Sequence, residues 1–215
     1  MKIKSLGWSS FQLSTGDTTV LTDPLALKQS GLSLSKSSAD VVLFTDKGLE
    51  GKENILAEND LLKKVEPEHR DKIIEISSPG EFEIGGLMIR RDVDSTFFTI
   101  DETVLRVVYM GLLKNDVDIS LAKDLGDVDV LIIPIGNGDL FVEYEKLEKI
   151  INYIDPTILI PCAYKQDGLK IGKDLKSRED FIKYFGFTNV REETYVNVTP
   201  TVEQENKNME VIFLK

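Results

Sequence analysis

The sequence predicts an α/β layered protein in which two β-sheets are covered by helices. Two observations carry that expectation. The first half of the 215 residues is a succession of short strand-like segments separated by turn residues. The second half changes rhythm to strand, helix, strand, helix and strand, and two of its apolar runs, 129–133 and 157–160, stop at a proline. Continuous apolar runs of that length read as strands buried on both faces, and such strands need cover from both sides.

Taken in order, residues 2–6 alternate polar and apolar, as a half-buried strand does. Residues 9–13 and 18–22 form a hairpin about Thr15-Gly16-Asp17. Asp23-Pro24 stops the second of these strands, because proline has no N–H to give to a ladder. Residues 41–44 are the next strand, followed by a charged segment of helical tendency at 53–64. Residues 72–76 and 87–90 read as strands, with Pro79-Gly80 and Gly85-Gly86 as turns, and 96–100 with 104–109 as a hairpin about Asp101-Glu102. The clearest helix spans 143–154. Its Tyr144, Leu147, Ile150, Ile151 and Ile154 share one face, and Glu145 precedes Lys149 by one turn. Asp155-Pro156 ends it. Ser177 and Asp180 resemble a capping box opening a helix that carries Phe181, Ile182 and Phe185, with Gly186 as its stop. Residues 194–198 and 210–214 close the chain as strands.

The length suits a single domain, 1–215, of two packed halves, roughly 1–115 and 116–215. The polar stretches 29–38 and 165–176 read as loops inside it. Hydrophobic residues at 41% and charged residues at 29% are ordinary for a soluble globular protein. The net charge of −11 argues against a nucleic-acid partner, which needs a basic patch. The single cysteine, Cys162, forms no internal disulfide. MKIKSLGW lacks the apolar core of a signal peptide, and no run reaches membrane-spanning length. The expectation is a cytoplasmic protein with no membrane partner.

Residues 39–51, ADVVLFTDKGLEG, are the stretch on which function turns: a rigid apolar strand delivers the chain into a polar loop. Around it, several segments carry a resemblance. IKSLGWSSFQLSTGDTTVLTDPL opens the chain with Gly7, Ser9, Ser10, Phe11, Asp23 and Pro24. SPGEFEIGGLMI (78–89), GDVDVLIIPIG (126–136) and DPTILIPCAYK (155–165) follow in order. Together these resemble the metallo-β-lactamase superfamily, in particular its L-ascorbate-6-phosphate lactonase-like, Zn-dependent hydrolase-like branch. The resemblance implies an αββα sandwich of two mixed sheets flanked by helices.

The resemblance also implies one or two divalent metals held by clustered histidines and aspartates. At the positions it assigns to those ligands, this chain carries other residues. Apart from that ligand set, Trp8 stands where the opening Gly-His turn of the family has its histidine. Asp46, Gly48 and Gly51 stand at the three loop histidines, and Glu50 at the loop aspartate. Leu112 takes the place of the bridging aspartate and Ala163 that of the last histidine. Glycine, leucine and alanine side chains offer no ligating atom. No cofactor is therefore expected, apart from a weak Mg²⁺ or Ca²⁺ site built from Asp46 and Glu50 with Asp23 nearby.

The lone histidine, His69, lies in a charged loop and reads as solvated surface. Cys162 has no histidine to make its thiolate and reads as a buried inert thiol. Trp8, Phe11 and Tyr164 either line an apolar cleft or fill the space of the metals. Gly136-Asn137-Gly138 reads as a turn. The expected cleft is Trp8, Asp23, Thr45, Asp46, Lys47, Glu50, Leu112, Cys162, Ala163 and Tyr164. The functional expectation is a non-catalytic protein that acts through binding or assembly, as a homo-oligomer, with a protein partner or on a small-molecule ligand. Two alternatives stand beside it. One is a hydrolase of a lactone, ester or phosphodiester with a rebuilt carboxylate site, using Asp46, Glu50 and Asp116 or Asp118. The other is a structural subunit of a complex with an active paralogue.

Overall fold

In a computed structural model, residues 1–172, 174–199 and 209–215 are described. Strand β1 (Lys2–Gly7) pairs antiparallel with β2 (Ser10–Ser14), and β2 with β3 (Thr19–Thr22). Pro24 opens helix α1 (Pro24–Gln29) as well as stopping β3, since its fixed φ suits a first helical position. β4 (Ser37–Ser38) leads to β5 (Val41–Leu43), which lies parallel to β3. The charged segment 53–64 is mostly turn. Only α2 (Ile55–Glu58) is helical, started by Asn54 in the left-handed region, and β6 (Val65–Glu66) pairs with β4. β7 (Ile74–Ile76) lies beside β5, giving the order β1-β2-β3-β5-β7, and a late strand of residues 196–197 pairs with β1 to complete a six-stranded sheet.

The eight-stranded sheet begins with β8 (Gly80–Ile84), a strand the two flanking Gly turns conceal in the sequence. β9 (Leu87–Arg91), β10 (Phe98–Glu102) and β11 (Leu105–Tyr109) continue as an antiparallel meander. The β10–β11 turn sits at Thr103-Val104, two residues beyond Asp101-Glu102. β12 (Val130–Pro134) joins β11 in parallel; α3 (Tyr144–Ile154) then crosses over to β13 (Ile158–Cys162), parallel to β12. Pro161 lies inside β13 rather than after it. That is tolerated because β13 pairs with its other neighbour only at Ile158 and Leu159. α4 (Arg178–Phe185) has the full capping box at Ser177 and Asp180 and ends at left-handed Gly186. β14 (Val190–Glu193), β15 (Val196–Asn197) and β16 (Glu210–Leu214) follow, with β16 inserted between β13 and β14. The expected strand 194–198 is thus shorter, and β14 precedes it.

The sheets change between Ile76 and Gly80, ahead of the sequence division near residue 115, and β15 returns to the first sheet. Alternation along β12 shows the layering. Val130 and Ile132 face a core shared with the six-stranded sheet, with α1 and with α2. Leu131 and Ile133 face a second core made by α3 and α4. Among the described residues, no helix is long and apolar enough to cross a membrane.

Candidate functional site

The ends of β1, β3, β5, β11 and β13 converge at one edge of the sandwich. Asp23 sits there with φ 40° at the start of α1, and its carboxyl is 2% exposed. The Thr45 backbone N–H donates to Asp23 Oδ1 at 2.8 Å and the Thr45 hydroxyl to Oδ2 at 2.5 Å. Tyr109 Oη lies 2.6 Å from Asp23 Oδ2 and 2.6 Å from the Ser9 carbonyl. Burial pushes the Asp23 carboxyl up to about 6, against the hydrogen bonds from Thr45 and Tyr109 that lower it. Burial likewise raises the Tyr109 phenol well above its ordinary range. Tyr109 has one proton for two acceptors. Below about pH 6, where Asp23 takes up its proton, the count can resolve: that proton can go to Tyr109 Oη and the tyrosine's own to the Ser9 carbonyl. Gly111 completes the packing, because a Cβ there would meet Tyr109 Oη and the Asp23 carboxyl.

Three residues of this edge hold left-handed backbone without being glycine: Trp8 (φ 54°), Asp23 and Ala163 (φ 49°). The Ala163 N–H donates to the Trp8 carbonyl at 3.2 Å, so two of them are locked together. For tryptophan and alanine that conformation costs about 1–2 kcal/mol each, and such strain gathers at functional sites.

Beside them lies a cavity of about 280 Å³. Its apolar wall includes Trp8, Leu112, Phe141 and Ile171, and its polar wall Thr45, Asp46, Lys47, Lys114 and Asp116. The Trp8 and Phe141 rings are 5.6 Å apart and tilted, forming a corner. Among the described residues neither Lys47 nor Lys114 makes an ion pair. A larger groove of about 940 Å³ runs on the other side of Trp8, along β1, Ser35, Lys36 and the end of β13. It is more polar and does not reach loop 45–51.

The expected cleft residues therefore separate. Trp8, Thr45, Asp46, Lys47 and Leu112 share the smaller cavity, whereas Cys162, Ala163 and Tyr164 line the groove with Phe11. Asp23 and Glu50 line neither of them. Cys162 is buried, and desolvation pushes its thiol well above the ordinary value. Asp116 lines the cavity, while Asp118 caps a turn through the Ser120 N–H at 2.8 Å. Asn137 and Gly138 form the expected turn, with Asn137 Oδ1 accepting the Gly138 N–H.

The donor set does not fit the divalent metal implied by the resemblance. Only Asp46 and Glu50 offer ligating side chains among positions 46, 48, 50, 51, 112 and 163, and both are engaged. Asp46 accepts the Gly48 N–H at 2.9 Å, and Glu50 Oε2 is 3.2 Å from Arg91 Nη2. His69 is corrected in one respect. It is exposed, yet its Nδ1 is 2.8 Å from the wholly buried Asp40, which also accepts its backbone N–H at 2.6 Å. Asp40, Glu68 and His69 bring ligating atoms within 4.8 Å of one another. The Asp40 carboxylate, however, is already spent on the N–H groups of Thr19 and His69, as a clasp.

Sequence reasoning missed Arg91, Tyr109, Lys114 and Phe141. Arg91 had a usable signal. In LMIRR, period-two alternation puts Leu87, Ile89 and Arg91 on the same inward face.

The family described as the beta-lactamase superfamily domain matches residues 2–163. No curated protein sequence matches the chain. Among solved structures, the chain is similar to a Zn-dependent-hydrolase candidate of the metallo-beta-lactamase superfamily from Thermotoga maritima. The identity is 20%, the TM-score 0.73, and the match covers 100% of this chain and 98% of that one. A metal-dependent-hydrolase candidate from Parabacteroides distasonis matches at 14% identity and TM-score 0.59, covering 99% and 93%. The isothiocyanate hydrolase from Delia radicum gut bacteria matches at 11% identity and TM-score 0.57, covering 86% and 91%. At these identities the likeness is one of fold.

Proposed function

This chain belongs to the beta-lactamase superfamily, and on that premise we propose that it is a binding protein whose cleft takes a small organic molecule and performs no metal-assisted hydrolysis. One observation carries the reading. Asp46 and Leu112 stand at two positions to which the resemblance assigns metal ligands, and both face, with Trp8, a single cavity that has one apolar wall. A hydrated divalent ion is poorly matched to such a wall, and a flat hydrocarbon or aromatic body is well matched. Lys47 and Lys114, which make no ion pair among the described residues, line the same cavity with Asp46 and Asp116 and offer ammonium groups to an anionic group on that molecule. The ligand class is therefore an aromatic or alicyclic acid of metabolite size.

Trp8 is the only tryptophan, so its fluorescence reports directly on the cavity. Titration with a panel of aromatic and alicyclic carboxylates and phosphates should quench or shift its emission, and Lys114→Ala should weaken binding about tenfold. Stoichiometric zinc or manganese in the purified protein, by elemental analysis, would overturn the reading. So would metal-dependent hydrolysis of a lactone, ester or phosphodiester that Glu50→Gln abolishes.

A further inference from the structure

Arg91 is the largest of the fully buried side chains and lies 2% exposed at the end of β9. All three of its nitrogens are committed. Nε–H donates to the Ser95 carbonyl at 3.0 Å, and Nη1–H to the Ser77 carbonyl at 2.6 Å and the Phe44 carbonyl at 3.4 Å. Nη2–H donates to Glu50 Oε2 at 3.2 Å, and the guanidinium carbon stands 5.7 Å from the centre of the Phe98 ring. Phe44 and Ser77 follow β5 and β7 of one sheet, and Arg91 ends β9 of the other with Ser95 four residues on. One cation thus gathers oxygens from four places in the chain and joins the two sheets at the base of loop 45–51.

A buried charge is tolerated only when it is well hydrogen-bonded, and here three carbonyls and a carboxylate take four of the five guanidinium N–H donors. Burial lowers the Arg91 pKa, while Glu50 and Asp23 act to raise it. Arginine remains charged in proteins. Leucine or methionine would fill the same volume without leaving a charge to satisfy, so the guanidinium needs an explanation beyond packing.

We propose that Arg91 is the resident cation of this cleft: a positioning residue that draws Phe44, Glu50, Ser77 and Ser95 around one positive charge and so holds Thr45, Asp46 and Lys47 in the cavity wall. A guanidinium can do the structural part of a metal's task, cross-linking loops through oxygen atoms. It cannot do the chemical part, having no open coordination position at which to activate water. The proposal rests on the reading that the cleft holds no metal, but it does not require that the cavity bind a ligand.

The test uses the full chain in chelated buffer, with amide hydrogen exchange and thermal melting as readouts. Glu50 is half exposed, so Glu50→Gln should leave the fold intact while amides of residues 48–51 exchange about tenfold faster, as loss of a charge-assisted bond predicts. Arg91→Ala should melt lower, and millimolar guanidinium should restore both its melting temperature and its loop protection. Urea, planar and similar in size but neutral, should not. The proposal is overturned if urea restores the variant as well as guanidinium, if Arg91→Met matches the wild type, or if Glu50→Gln exchanges as the wild type does. Stoichiometric metal in the wild-type protein would instead overturn the metal-free reading of the cleft. The two failures are therefore distinguishable.

Discussion

Replacing Asp23 by asparagine tests the proton count in the buried cluster of Ser9, Asp23, Thr45 and Tyr109. The folded carboxyl titrates at about 6, against an ordinary value of 3.8, and burial is the largest cause. A carboxyl whose pKa is raised on folding binds its proton more tightly in the native state. Its contribution is present below pH 3.8 and is lost as the pH rises through about 6. At about 1.4 kcal/mol per unit, the wild type should lose ~3 kcal/mol from this group across that window. Asparagine supplies the neutral charge of the protonated form, although its Nδ2 cannot accept the Thr45 hydroxyl as Oδ2 does, so that hydroxyl must turn and accept instead. Its Oδ1 still accepts the Thr45 N–H, and its Nδ2 can donate to Tyr109 Oη, whose own proton remains on the Ser9 carbonyl. Urea unfolding of both proteins from pH 4 to pH 8 should therefore give a flatter profile for Asp23→Asn, with stability at pH 7.5 equal to or above the wild type. The reasoning fails if the two profiles keep the same slope between pH 4 and 6 while the variant is weaker by about 2 kcal/mol or more, the loss expected when a needed buried charge–hydrogen-bond pair is broken.

The Asp40–His69 clasp should give a second pH signature. His69 is raised first by its hydrogen bond to Asp40, so its contribution is present below 6.5 and is lost as the pH climbs through its higher folded value. Asp40 is held low by hydrogen bonds from His69 and Thr19 despite burial, so its contribution is present above 3.8 and fades on acidification below that. His69→Gln should remove the alkaline loss, read as a smaller shift in unfolding midpoint between mildly acidic and alkaline buffer, and an unchanged shift would refute the assignment. At Gly111, substitution by alanine should destabilise by roughly 2–3 kcal/mol through overpacking against Tyr109 and Asp23. The same change in an Asp23→Ala background should cost measurably less, because one of the two clashing groups is gone, and additivity would count against a shared contact.

Much of the architecture was legible because it rests on local rules. The period-3.6 face of α3 and the capping box of α4 are complete within their own segments, and both appear where the sequence places them. The apolar runs that became β12 and β13 announce burial on both faces, and they lie between the two cores. Failures fell where a short-range signal had more than one outcome. Asp23-Pro24 ends a strand and also starts a helix. The charged residues 53–64 have helical propensity but only two buried anchors, Ile55 and Leu56, in the helix itself, so most of the segment settles as turns. β8 is hidden because its alternation runs between two glycine turns at a sheet edge.

The sequence by itself placed glycine at 48 and 51, leucine at 112 and alanine at 163, positions to which the resemblance assigns ligands, and those side chains carry no ligating atom. Which groups meet across that edge was decided only by the tertiary structure. Arg91 and Glu50 are 41 residues apart, Asp23 and Tyr109 are 86 apart, and Trp8 reaches Phe141 from the far side of the chain. Nothing in local propensity specifies such pairs. They arise when the sheets stack and the strand ends are brought together, and the buried charges then find their partners among whatever the stacking has delivered, while the hydroxyls of Ser9, Tyr144 and Thr157 find none among the described residues.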